Sequence, residues 1–290
     1  AGSNGFAGAY RLTRHGIGTS VIAGEGTAME TGYDSAAAAH AEDLRDPAEI
    51  GRRAGERAVK RLNPRKVETA QVPVVYESDI AGRLLSHLAG AISGPAVARG
   101  TSFLKDRMES QVFATGVRVM DDPLRPRGLR SKPFDGEGIA GRKRAVIEDG
   151  VLKTWLLDLA SARQLGLETT GHAARGTSSP PSPAATNLYL EPGGASPDEL
   201  MADIRAGFYV TTLMGMGVNQ VTGDYSFGAA GFWIEDGEIA YPVSELTIAG
   251  NLKDMYRTLM PANDLVFRFG VDAPTVRIEG MTVAGMATAG

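Results

Sequence analysis

AGFWIEDGEIAYPVSE, residues 230–245, is the stretch whose reading decides the fold. Two runs of alternating apolar and polar residues meet at Asp236-Gly237, and Asp-Gly suits a two-residue type I′ hairpin because both central residues must take positive φ. RKRAVIEDGVLKTWLLD, residues 142–158, repeats the Ile-Glu-Asp-Gly centre between extended runs, as a faint internal duplication or as one turn solution used twice. The chain carries 37 glycines, above the usual share of roughly 7%, and they cluster between β-branched and aromatic runs. Hairpins outnumber helix-linked crossovers. The expected class is therefore α+β: a large, mostly antiparallel, twisted sheet with hairpins and a few flanking helices on one side.

Bulk composition bounds the function. With 290 residues and 43% hydrophobic content the chain can bury a core as one large or two modest domains. A net charge of −4 gives no overall attraction for nucleic acid or an anionic membrane, since both need a positive field. Cysteine is absent, which removes disulfides, thiolate nucleophiles and Cys-ligated zinc. No run of about 18 apolar residues exists, and AGSNGFAGAYRLTRHG lacks the charged-then-apolar order of a signal peptide. The expectation is a cytoplasmic protein with no membrane partner.

Along the chain, residues 6–27 alternate like one or two strands. A helix follows: Asp46 can cap it, Pro47 opens it, Glu49 completes D-x-x-E, and Ile50, Ala54, Ala58 and Leu62 form its apolar stripe up to Asn63-Pro64. Its basic residues Arg52, Arg53, Arg57, Lys60 and Arg61 read by default as a solvated face. VETAQVPVVYES predicts a strand, residues 78–92 a helix ended by Ser93-Gly94-Pro95, and 110–121 another strand-like run. Segment 123–144 carries Arg125, Arg127, Arg130, Lys132, Arg142, Lys143 and Arg144 against Asp135 and Glu137. It reads as an exposed loop, with phosphate or an acidic partner segment as the alternative occupant. HAARGTSSPPSPAAT, 172–186, predicts a mobile surface loop, and Ser196-Pro197-Asp198-Glu199 opens a capped helix to about Gly207.

Local motifs offer little chemistry. No P-loop occurs, LMGMGVNQVTG lacks dinucleotide spacing, and GDYSFG is not a nucleophile elbow. His15, His40 and His172 stand apart from any carboxylate–histidine pair in sequence. GRLLSHLAGAISG, 82–94, places His87 in a helix, but neither Arg83 nor Ala91, one turn to either side, can ligate zinc. The default for His87 is a helix-face or interface histidine.

Longer blocks carry a resemblance. FDGEGIAGRKRAVIEDGVLKTWLLDLASARQLGLETTGHA (134–173), TNLYLEPG (186–193), the run from Gly207 to Arg257, NDLVFRFGVDAPTVRIEGMTVAG (263–285) and the SNGFAGAY start resemble the TldD/PmbA family, in its PmbA or TldE branch. The resemblance implies that residues 1–66 are the end of the family's middle domain and 67–290 its C-terminal domain, with the family's N-terminal domain lacking. It also implies a TldD–PmbA pair that degrades or trims peptides, including microcin precursors and antitoxins; an older family name is modulator of DNA gyrase. The TldD branch carries H-E-x-x-x-H after a G-x-L-L run. Setting that run on Gly82-Arg83-Leu84-Leu85 puts its first His at Ser86, its Glu at His87 and its second His at Ala91. A hydroxyl, an imidazole and a methyl cannot rebuild a zinc site with its base.

The expected function is thus a non-catalytic subunit with no catalytic, cofactor-binding or metal residues of its own. Zinc is expected in a TldD-type partner, an extended peptide is the substrate, and self-association is plausible on pseudo-twofold grounds. Strand addition would hold such a peptide, with TNLYLEPG and the Gly-rich 214–231 segment as candidate edges and ordinary strands and turns as the bland alternative. The rivals are a gyrase- or nucleic-acid-associated binding module acting through 125–144, and an enzyme with an unrecognised site.

Overall fold

The computed structural model describes Gly2 and residues 5–285; Ser3 and Asn4 of the SNGFAGAY segment lie outside the described residues. A hairpin opens the chain, β1 (His15–Ala23) against β2 (Glu30–Ala38), and α1 (Pro47–Lys60) packs across it. Asp46 caps α1 by accepting from Ala48 N at 3.0 Å, and the predicted stripe Ile50, Ala54 and Ala58 is buried. Strand and helix backbones touch at Gly32, where a Cβ would meet Ala54 O at 2.0 Å, so only glycine fits. Residues 6–14 are not strand, whereas β2 was not expected at all.

After β3 (Ala70–Tyr76) come α2 (Ser78–Ala91) and α3 (Gly94–Ala98). Ser93-Gly94-Pro95 ends α2 as expected and at once opens α3, because proline suits a first helical turn. Then follow β4 (Val119–Asp121), β5 (Arg144–Glu148), β6 (Val151–Leu152), α4 (Leu159–Leu165), β7 (Ala173–Ala174), β8 (Ser182–Pro183), β9 (Leu188–Leu190) and α5 (Pro197–Met201). The last elements are β10 (Ala206–Met214), β11 (Asp224–Glu235), β12 (Glu238–Asn251), α6 (Leu252–Thr258), β13 (Met260–Pro261), β14 (Val271–Asp272) and β15 (Val276–Ala284).

The class is α+β, and the large sheet closes on itself. β3 pairs with β10, β10 with β11, β11 with β12, β12 with β15, and β15 returns to β3, making a five-stranded barrel in which only β3–β10 is parallel. A second sheet of short strands runs β14-β9-β4-β5-β6. Helix α2 lies between the two, touching β10 on one side and β9 and β14 on the other. Both predicted hairpins form with two-residue turns: Asp149 and Gly150 have φ of 50° and 76°, and Asp236 and Gly237 have 48° and 85°.

One continuous core fills the barrel and extends across α2 into the second sheet, from Val74, Phe208 and Ile278 to Leu84, Leu88 and Ile147. Tyr256 of α6 donates its hydroxyl to Leu84 O at 2.9 Å and stacks on Phe113 at 4.3 Å, so its buried hydroxyl is satisfied.

Three expectations need correction. The helix opened by Ser196 keeps its capping box but stops at Met201, because Ile204 turns inward to join Val75, Met201 and Ile234, and β10 begins at Ala206. Only Val119–Asp121 of segment 110–121 is strand, since Gly116 at φ 85° turns the chain just before it. Segment 172–186 is not wholly a surface loop: a small ladder, Ala173–Ala174 against Ser182–Pro183, ties it down, and His172 is buried.

Candidate functional site

Helix α2 presents the positions singled out by the resemblance. Its apolar spacing buries Ala81, Leu84, Leu85, Leu88 and Ala91, which leaves Arg83 and Ser86 exposed and His87 half-buried at the margin. Ser86 donates to Gly82 O at 3.2 Å, an ordinary backbone return within a helix. The His87 ring sits 6.0 Å from Tyr225 and 5.8 Å from Phe227, and its Nε2 has no hydrogen-bond partner. Burial, and after it the Arg83 charge, push the His87 pKa below its ordinary value. His87 is therefore a neutral imidazole against an aromatic wall. Zinc is the metal the family implies, and the fit fails on donors: one hydroxyl already engaged, one imidazole and a methyl. Among the described residues no three His, Cys, Asp or Glu side chains come together as a metal-binding group.

A consequence can be measured. Because the folded pKa is depressed, the unfolded chain takes up this proton first, and stability falls as pH drops through about 6.5. His87→Leu is expected to flatten that acid-side loss while costing less than about 1 kcal/mol at pH 8; melts across pH 5–8 that keep the wild-type slope would refute the assignment.

His172, isolated in sequence, is not isolated in space. Its Nε2 lies 3.2 Å from Asp121 Oδ1 and its Nδ1 2.8 Å from Thr170 Oγ1. Asp121 also accepts from Thr186 N at 2.8 Å and from the Thr186 hydroxyl. A carboxylate only accepts, which puts the imidazole proton on Nε2. The order Thr–His–Asp resembles a nucleophile relay. However, His172 is 2% and Asp121 0% exposed, and the Thr170 hydroxyl is held at 2.7 Å by Leu157 N, so no substrate reaches it. The network is a buried staple between β4 and the 170–187 segment.

The third cluster binds the opening unit to the rest. Arg45 donates to both Asp34 oxygens at 2.9 Å and to Ser35 O at 2.7 Å, while Arg57 reaches Tyr33 O, Glu77 and Asp79, and Arg268 pairs with Asp79. Burial raises the Asp34 pKa; the Arg45 hydrogen bonds and the charges of Arg53 and Arg45 outweigh it, leaving a net value below the ordinary one. Beside these pairs a cavity of about 540 Å³ opens between α1 and β10–β12. Of the basic residues read by default as solvated, Arg53, Arg57, Lys60 and Arg61 line it, while Arg52 pairs with Glu56.

The basic 123–144 segment is a loop up to β5, as expected, but its cations are largely engaged. Arg127 holds Glu42 at 2.9 Å and Asp43 at 2.7 Å, Lys132 donates to Ala173 O, Arg144 to Thr170 O, and Arg125 lies 3.6 Å over the Phe267 ring.

The chain is thus a small closed barrel, joined through α2 to a second sheet and preceded by a hairpin-and-helix unit. The PmbA/TldA metallopeptidase C-terminal domain matches residues 69–285 and the central domain of the same family matches residues 1–62, and the chain belongs to the PmbA/TldD family. It is 40% identical over 284 residues to metalloprotease PmbA of Escherichia coli O157:H7, covering 98% of this chain and 61% of that protein. A PmbA homolog from Haemophilus influenzae is 37% identical, with 98% and 61% covered. The chain thus spans about three fifths of these relatives. Among solved structures, a candidate modulator of DNA gyrase from Bacteroides thetaiotaomicron superposes with a TM-score of 0.88 at 30% identity, over 98% of this chain and 63% of that one. TldE from Thermococcus kodakarensis gives 0.83 at 24% identity, over 94% and 63%, and speaks to the fold alone. Among the described residues no helix is long and apolar enough to cross a membrane.

Proposed function

We propose that this chain is a non-catalytic PmbA/TldE-type subunit that works beside a TldD-type zinc peptidase and helps hold its extended peptide substrate, in the manner the resemblance attaches to microcin precursors and antitoxins. The observation that carries the reading is the donor set of α2: the positions matched to the sister branch's ligands and base are Ser86, His87 and Ala91, the last fully buried. Nothing there activates water. The nucleic-acid alternative finds no support, because Arg127, Lys132 and Arg144 are spent on protein groups.

Peptide handling needs a different edge from the two expected ones. β9, within TNLYLEPG, is flanked by β14 and β4, and β11, which starts inside 214–231 and runs to Glu235, is flanked by β12 on one side and by residues 217–219 and then β10 on the other, so both sides of each strand are largely taken. The test is elemental analysis of the purified chain followed by peptide cleavage with and without a TldD-type partner. Substoichiometric zinc and cleavage only with the partner are expected. One zinc per chain with cleavage by the chain alone would overturn the reading.

A further inference from the structure

We propose that the groove between α1 and the barrel docks an extended peptide segment bearing acidic side chains, which adds as a strand along Glu238–Tyr241; the proposal narrows the peptide-holding role just given and rests on it.

The strand edge comes first. β12 is covered by β11 on one side, but its pairing with β15 spans only Thr247–Ala249. Among the described residues no strand covers the outer edge of Glu238–Tyr241. The chain itself shows that this edge accepts an extended backbone one step further on: Arg65 N donates to Pro242 O at 2.8 Å and residue 65 forms a parallel bridge with Val243. An incoming strand would continue that line, gaining backbone hydrogen bonds without reading sequence.

Charge selects what enters. Arg53, Arg57, Lys60 and Arg61 follow helical spacing and so share one face of α1, which forms the wall opposite Phe232, Ile239 and Tyr241. Of these, Arg57 has the closest carboxylate partners among the described residues, Glu77 at 2.9 Å and Asp79. Arg61 donates to neutral acceptors, Thr31 O at 2.9 Å and the Thr211 and Thr212 hydroxyls at 3.1 and 2.6 Å. Arg53 pairs more loosely with Asp79 at 3.6 Å and Asp34 at 3.9 Å, and the exposed Lys60 side chain makes no hydrogen bond or ion pair among the described residues. Glu56, on the same wall, is held at 2.6 Å by Arg52. Burial, and the neighbouring Arg57 charge, lower the Arg61 pKa although Glu77 acts the other way. Glu77, which also lines the cavity, and Glu30 lie near enough to act on Arg61, but among the described residues neither is hydrogen-bonded to it, which leaves its guanidinium able to meet a carboxylate arriving from outside. The cavity, about 540 Å³, falls in the range of ligand sites and suits a few extended residues with side chains turned toward α1. An acidic peptide fits better than a nucleic acid strand, because the groove combines few cations with a backbone edge and the chain's net charge is −4.

The experiment is fluorescence anisotropy of a labelled peptide alternating Glu and Ala, titrated with this chain alone. Saturable binding is expected, weakened at least about tenfold by raising salt from about 50 to about 500 mM and by Lys60→Glu, an exposed change whose unaltered melting curve shows intact folding. The Lys/Ala peptide should not bind, and N-methylation of alternate Glu/Ala backbone nitrogens should weaken binding as strongly as Lys60→Glu. Absence of binding, equal binding by Lys60→Glu and Arg53→Met, indifference to N-methylation, or tighter binding of oligothymidylate would each overturn the proposal. Binding without partner-dependent cleavage leaves the groove standing and removes the subunit reading; cleavage without binding removes only the groove.

Discussion

Replacing Asp121 by alanine is expected to cost about 3–5 kcal/mol of stability and to lower the thermal midpoint by on the order of 10 °C. The carboxylate is fully buried at the end of β4 and accepts from Thr186 N, the Thr186 hydroxyl and His172 Nε2. Truncation leaves all three donors inside the protein with nothing to meet, and an unmet buried donor costs more than a formed hydrogen bond contributes. His172 then loses the group that fixes its tautomer, and the 170–187 segment loses its tie to β4. Calorimetry on the purified variant decides the matter: a midpoint within about 2 °C of wild type would mean that water replaces the carboxylate and that the site is less enclosed than described.

The second large effect is expected at Phe208. It stands opposite Val74 across the single parallel seam of the barrel and opposite Trp233 on the other side, with no exposure. Phe208→Ala should cost about 3–5 kcal/mol through lost burial and the cavity left behind, whereas Phe208→Leu should cost less than about 1.5 kcal/mol. Urea unfolding should show the loss as a lowered midpoint at an unchanged slope. Similar costs for the two variants would show that the wall does not hold the ring tightly.

Both changes fall in parts of the fold that sequence reading reaches unevenly. Asp-Gly at 149–150 and 236–237 told the two hairpins outright, because positive φ at both turn positions is a local demand that few residues meet. The cap at Asp46 and the stripe Ile50, Ala54, Ala58 likewise gave α1. Strand β2 escaped because ETGYDSAAA is poor in β-branched residues; its strand state comes from pairing with β1 and from the close approach of α1 at Gly32. Barrel closure escaped too, since three β12 residues meeting three β15 residues leave no local trace. The same holds for His172 and Asp121, which are distant in sequence, and for the α1 cations. On a helix viewed alone Arg53, Lys60 and Arg61 are a solvated face, and only the barrel wall opposite makes them one side of a groove. Ser86, His87 and Ala91 stand out only through the resemblance, since nothing local marks them off from ordinary helix residues.

The parallel seam between β3 and β10, together with the return of β15 to β3, has a kinetic meaning. Val72, Val74 and Tyr76 are made well before their neighbours on both sides, strands starting at Ala206 and Val276. The barrel cannot close until β15 (Val276–Ala284) has been made, about 200 residues after β3, so its nucleus must bridge long sequence separations and should form slowly. Until then β3 is an apolar strand with two open sides, which makes the nascent chain, rather than the finished protein, the species that most needs protection from aggregation.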